Sequence, residues 1–391
     1  MLMTGFKEHR IQVNQLLNVI PESLLANLST TTKVDHYAKV LHGKKMFYLL
    51  LYGIVENEKL SQRTLEDTFN DPVFKLLFDL DKEETIRRSS ISERLAKIDS
   101  SYFKQIYECI YEQFSKYYKE TDRHKYNLVR VDSSMVSETV GKLAEGLSNS
   151  GKKAIKYSAA FDGILPCDIQ TFTSSSYSSE DIALPEVVLS HVKKEKSHQN
   201  IYVLDRGLQS ARTMKSFSDD AIRFICRAKE NRKYEELESL LTSELDRDLG
   251  DSMLMKDAKI KLYTGTPIKN KRGNTHYREE LVEAAFRLVV IKSKEHHEQQ
   301  YWFLTNDFRL TAKEVAQAYR RRWDIEVFFR FIKQELHVSH LVSLNKNGIE
   351  VMMYMTLIVA MLILIYKKAN SIGYKTAKRR FSMKFATLQL P

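Results

Sequence analysis

From Val351 to Tyr366 the chain runs sixteen residues without a charge, and any fold must account for that stretch. At a rise of about 1.5 Å per residue a helix of this length reaches roughly 24 Å, short of the ~30 Å hydrocarbon core of a bilayer. A buried core helix is expected rather than a membrane span. The remaining chain is large enough to cover it: 391 residues, 43% hydrophobic and 28% charged, argue against wholesale disorder and for two or three domains. Thirteen glycines and six prolines are few, which points to long uninterrupted elements, mainly helices. Cys109, Cys167 and Cys226 are an odd set without short spacing, and no signal peptide opens the chain. A cytoplasmic protein without a disulfide framework is the expectation.

Lysine and arginine exceed aspartate and glutamate by 61 to 50, and the surplus is concentrated. Residues 1–120 hold 17 basic and 17 acidic side chains, residues 121–300 hold 29 and 27, and residues 301–391 hold 15 and 6. Much of the C-terminal excess follows the apolar run, in Lys367, Lys368, Lys375, Lys378, Arg379, Arg380 and Lys384. A clustered positive field favours a polyanion, with nucleic acid the first candidate and an anionic membrane the second.

The first 120 residues read as helices. Ser90 and Glu93 form a capping-box pattern before Ile91, Leu95 and Ile98, with Arg87, Arg88, Arg94 and Lys97 close by. Such a segment suits either a helix docked on DNA or an ordinary amphipathic surface helix. From residue 126 the pattern turns to β-rich runs: Leu128–Val131, Ala154–Phe161, Ile164–Phe172, Ile201–Leu204 and Ala221–Cys226. Helical stretches from Ser179 and from Ser210 separate the last three. The order predicts a mixed sheet with helices packed on it. Residues 228–300 combine a charged helical segment, Tyr234–Leu245, with alternating runs and a loop from Gly265 to Asn274, and read as an inserted subdomain. Tyr301–Thr305 is a strand returning to the main body.

Asp132 and Asp205 each follow an apolar strand, where α/β sheets place working groups, although a strand-terminal Asp often only caps the next turn. Thr311 and Glu314 form a second capping box, after which more than twenty residues lack Gly and Pro, predicting one long helix to Leu336. At about 100° per residue, Tyr319, Arg322, Glu326 and Lys333 fall near 0°, 300°, 340° and 320°. They share a narrow stripe beside the apolar band of Val315, Ile325, Phe329, Ile332 and Leu336. A surface salt-bridge ladder would explain Arg322 and Glu326 but not Tyr319. If the three acids converge, their hard oxygens suit a pair of Mg²⁺ or Mn²⁺ ions about 4 Å apart, as in phosphoryl transfer.

The Tyr319–Arg322–Glu326–Lys333 spacing resembles the tyrosine–arginine–glutamate–lysine signature of the fourth family of bacterial insertion-sequence DDE transposases. Asp132, Asp205 followed by Arg206 and Gly207, and the long gap before Glu326 match that family's three-acid plan over about residues 126–366. The resemblance implies a ribonuclease H-like mixed sheet core interrupted by a β-rich insertion, with a helical N-terminal domain. The chain then divides into residues 1–125, a DNA-end-binding region; 126–227 and 301–366, the two parts of the core; 228–300, the insertion; and 367–391, a basic segment. The implied activity is cut-and-paste DNA transposition through a hairpin end. Asp132, Asp205 and Glu326 would be catalytic and hold two Mg²⁺ ions, with Mn²⁺ able to substitute. Tyr319, Arg322, Lys333, Arg330 and Trp302 would contact DNA, with Tyr301 or Trp302 stacking on a flipped base. The implied partners are terminal inverted repeats, target DNA and a second copy of the chain, with no membrane; the implied location is the bacterial cytoplasm, at the nucleoid when bound.

Two rivals stand beside this reading. A domesticated DNA-binding protein would have no need of all three acids. A glycosidase-like carboxylate pair would not place its general acid beside cations. His337 and His340 lack a third soft ligand for zinc, and no Gly-rich phosphate loop is present.

Overall fold

The computed structural model describes residues 12–386 except 19, 117–125, 139–140, 144, 196–198, 242–246, 270–274, 296–298, 337 and 339. Among the described residues seven helices precede the first strand: α1 Val13–Leu17, α2 Glu22–Thr32, α3 Gly43–Glu56, α4 Gln62–Asn70, α5 Pro72–Leu77, α6 Arg88–Lys97 and α7 Ser100–Ser115. Their starts are locally encoded. Ser61 and Thr64 cap α4 reciprocally, Asp71 caps α5 with Pro72 in its first turn, and Asp99 caps α7. The Ser90–Glu93 box does not form, because α6 starts earlier, with Arg87 at its N-cap. Glu66 of α4 accepts the Arg88 amide at 3.0 Å, so a neighbouring helix does the capping. Arg94 also turns inward, donating to the carbonyls of Leu41 (2.7 Å) and Val34 (2.5 Å).

The strands are β1 Asn127–Ser137, β2 Leu147–Asn149, β3 Lys152–Phe161, β4 Pro166–Phe172, β5 Asn200–Leu204, β6 Arg223–Ala228, β7 Tyr234–Ser239, β8 Ser252–Lys269, β9 Thr275–Ser293 and β10 Gln300–Thr305. They form one sheet in the order β2-β3-β1-β5-β6-β10-β9-β8-β7, with β4 also on β3. β1, β5 and β6 are parallel, and every other pairing is antiparallel. Helices α8 Glu180–Lys194 and α9 Ala211–Asp219 lie on one face, sharing a core with Val129, Val131, Leu204 and Cys226. The opposite face carries α10 Ala312–Arg320, α11 Trp323–Glu335 and α12 Lys346–Ala369, with α13 Tyr374–Ala386 and the N-terminal helices beyond. The sequence reading of Tyr234–Leu245 as helical is wrong for its first half. β7 is an exposed edge strand whose charges are matched across the ladder, Lys256 binding both Glu236 and the Tyr234 hydroxyl. A charged edge also discourages pairing with other chains. The loop expected from Gly265 is likewise strand as far as Lys269, continuing the β8–β9 hairpin.

The uncharged run forms the body of α12. This helix is long and apolar enough to cross a membrane, yet every residue from Met355 to Tyr366 is buried, packed among α3, α6, α7 and α13. The tail from Thr387 and His337 lie outside the described residues.

Candidate active site

Period-two alternation along β1 turns Leu128, Arg130 and Asp132 to the face under α10 and α11, while Val129 and Val131 pack against α8. Asp132 does not end its strand, as the sequence implied, because β1 runs on to Ser137 against β3. The parallel partner stops instead. The β1–β5 ladder closes at Val131 and Leu204, and Asp205 follows immediately. A cleft opens at the carboxyl end of this parallel pair with one acid on β1 and one just past β5, the usual working position in such sheets.

The third acid comes from a helix that breaks. Thr311 and Glu314 do form the expected capping box, but α10 ends at Arg320 and α11 begins at Trp323. The single long helix is therefore corrected to two, joined by tight i→i+3 bonds: the amides of Arg322, Asp324 and Ile325 donate to the carbonyls of Tyr319, Arg321 and Arg322 at 2.9, 3.1 and 3.2 Å. From within the break the Arg322 guanidinium enters the cleft. It bonds Asp132 Oδ2 at 3.2 Å, lies 3.8 Å from Asp205 Oδ1, and donates to Glu326 Oε1. Tyr319 reaches Asp205 from the other side, hydroxyl to Oδ1 at 3.4 Å, with its ring under Arg322 and against Phe303. The stripe read from the sequence thus converges on both aspartates.

Burial raises the Asp132 carboxyl to about 6, against the Ser133 amide and the Arg322 charge, while Asp205 and Glu180 push it further up. Burial lowers the half-buried Lys333 ammonium, with the Asp132 charge opposing. Burial also works against the Arg322 charge, but the surrounding Asp205, Asp132 and Glu326 hold its proton more tightly than usual. Arg322 Nε is buried without a hydrogen bond. Three hard-oxygen donors surround a guanidinium that they leave incompletely satisfied, and a divalent cation suits that donor set. Among the described residues no three metal-type side chains are gathered closely enough to ligate an ion as they stand, since the guanidinium lies between them.

The remaining expected contacts divide. Arg330 is exposed on α11, its guanidinium 5.6 Å from the Trp323 ring centre. Trp302 packs on the face of α9 beside Tyr234, away from the acids. Tyr301 is the aromatic on the α10 face, under the Arg227 guanidinium at 4.9 Å. Sequence reading passed over three residues. Trp323, 53% exposed, adjoins the stripe as an aromatic in a polar setting. Arg130 is a charge inside an apolar strand, a signal that was present. Glu180 had none: it accepts from Ser133 Oγ at 2.7 Å, pairs with the buried Lys156 at 2.9 Å, and lies so close to Gly207 that a Cβ there would meet it at 2.5 Å.

The fold defines the class. Over 97% of its length the chain matches 81% of the piggyBac transposase in a synaptic complex with hairpin DNA, at 10% identity and a TM-score of 0.52, which gives it the ribonuclease H-like transposase fold. Residues 124–362 match the family described as transposase DDE domain, and the chain belongs to that family as a bacterial insertion-sequence DDE transposase. It is 26% identical over 287 residues to a protein named as a putative transposase of insertion sequence element IS4SA from Synechocystis, covering 72% of each chain. It is 22% identical over 265 residues to one named for element IS5377 of Geobacillus stearothermophilus, covering 67% of this chain and 62% of that one. A DNA-cutting and DNA-joining enzyme that depends on divalent metal in general follows from this membership, with DNA as its partner.

Proposed function

We propose that the chain performs cut-and-paste transposition of an insertion sequence, with Asp132, Asp205 and Glu326 holding two Mg²⁺ ions. The observation that carries this reading is the convergence of three acids, from β1, the end of β5 and α11, on one cleft edged by Arg322 and Lys333. When bound, the ions supply Lewis-acid activation of an attacking oxygen and stabilise the leaving one. The chain's own part is to hold the strand: Arg322 and Lys333 grip phosphates beside the scissile bond, and Tyr319 orients Asp205. Trp323 and Arg330 extend the same surface outward, and Tyr301 is better placed than Trp302 to meet a displaced base. Hydrolysis frees a 3′ hydroxyl, which attacks the opposite strand to give a hairpin, and the reopened end joins target DNA in the cytoplasm, at the nucleoid. The hairpin DNA held in the piggyBac synaptic complex supports that order. A duplex carrying the inverted repeat that flanks the coding region, labelled at one strand, tests it. The proposed pathway yields a product of doubled length on a denaturing gel, whereas two separate single-strand breaks without that product would exclude the hairpin.

A further inference from the structure

We infer that Arg130 is a positioning residue for the three acids: buried beneath the signature stripe, it fixes the break between α10 and α11 so that Arg322 and Glu326 face Asp132. This rests on the transposase reading of the site and deepens it. Arg130 stands two residues before Asp132 on β1, so both side chains meet the same helices. It is 1% exposed, and its donors join four places in the chain. Nη1 donates to the Leu128 carbonyl at 2.7 Å and the Asp162 carbonyl at 2.9 Å. Nε donates to the Arg321 carbonyl at 3.1 Å, and Nη2 to Asp324 Oδ2 at 3.0 Å.

The last two bonds straddle the break. In a continuous helix the Arg321 carbonyl would accept the amide of residue 325. Here Ile325 N–H bonds Arg322 instead, the Arg321 carbonyl takes the Asp324 amide, and Arg130 adds a second donor to that carbonyl while gripping the Asp324 carboxylate in the first turn of α11. The side chain that follows Arg321 is thereby sent into the acid cleft. The turn between β3 and β4 is shaped around the same guanidinium. Gly163 has φ +103°, and a Cβ there would stand 2.7 Å from Arg130 Nη1. Burying an arginine merely to fill space is disfavoured, since well-packed apolar residues do as well or better. What an apolar residue cannot do is tie a strand, a turn and a helix break together at the level of the site.

Arg130→Lys tests this, because an ammonium retains the charge but cannot span four acceptors as the planar fork does. Asp324→Asn is the companion, at a side chain 36% exposed, and it keeps an acceptor oxygen for Arg130 Nη2 while removing the charge. For the full chain and both variants, Mn²⁺ binding is followed by electron paramagnetic resonance, alongside single-turnover cleavage, gel-shift binding of an element end, and thermal melting. Arg130→Lys should weaken Mn²⁺ binding about tenfold or more and slow cleavage by about a hundredfold, with end binding within about twofold. Asp324→Asn should move metal binding and cleavage the same way by several-fold, with a smaller drop in melting temperature than Arg130→Lys because the amide oxygen still accepts from Arg130. Unchanged Mn²⁺ affinity in a folded variant overturns the assignment, as does a loss of cleavage matched by equal loss of end binding. If Arg130→Lys does not fold, Asp324→Asn decides on the same readouts. A wild-type protein that binds Mn²⁺ but never cuts DNA sinks the transposase reading, while the Mn²⁺ comparison still decides Arg130. A wild-type protein that binds no Mn²⁺ overturns both.

Discussion

Asp132 carries a charge that the metal-free fold holds at a cost, and the cost has a sign. Its carboxyl titrates near 6 in the folded protein, above the usual range, because burial penalises the anion. The stability it contributes is therefore complete below about pH 4 and lost as pH rises through 6. Asp132→Asn, which still accepts from Arg322, should melt close to wild type at pH 4 and above it at pH 7.5 when metal is absent. An equal difference at both pH values would show that burial does not set this group's titration. The same substitution should abolish cleavage while leaving end binding within a few-fold, as should Asp205→Asn and Glu326→Gln. Retained nicking by any of the three removes that residue from the site. Arg322→Lys should also fail to cut, since a point charge cannot replace a fork that meets Asp132 and Glu326 together. Lys333→Ala should slow single-turnover cleavage far more than it weakens binding, and reduce the salt slope by about one phosphate's share. Near-normal cleavage in both would mean the stripe is only an ion-pair ladder, whose loss costs about 0.5 kcal/mol per pair.

At the scale of elements, the buried helix and the strands were legible because their signals are periodic and local. The sixteen uncharged residues announced α12, and the apolar runs before Asp132 and Asp205 announced β1 and β5. The four-residue stripe located the site because its members share a face even across the break. The break itself was not legible. Tyr319 to Lys333 contains no Gly or Pro, and the cause is a guanidinium from residue 130, nearly two hundred positions earlier in sequence. The same limit explains β7, where Glu235, Glu236 and Glu238 look helical until Lys256 and Lys259 of β8 face them. The misassigned start of α6 has a similar origin, in the Glu66 carboxylate of another helix. If α12 is core, Leu357→Ala should destabilise the fold by about 2–5 kcal/mol in denaturant unfolding. A loss below about 1 kcal/mol would contradict its place at the centre of the packing.

For the whole molecule, charge and chemistry are divided: the acids are gathered in the cleft, while the basic excess lies in the last ninety residues, much of it on α12 and α13. That division suits a long polyanion held over a broad surface and cut at one point. We propose that two ends are cut together by a dimer acting in trans. Mixing an N-terminal variant that cannot hold an end with Glu326→Gln should restore some cleavage, and absence of rescue at any ratio would argue for action in cis. The most direct measurement is single-turnover cleavage of a duplex ending in the repeat that flanks the coding region, with Mg²⁺ and with EDTA, for wild type and Glu326→Gln. The account predicts strand cleavage at the element end by wild type in Mg²⁺, and none in EDTA or with the variant. Cleavage that survives EDTA, or that Glu326→Gln performs at the wild-type rate, would contradict it.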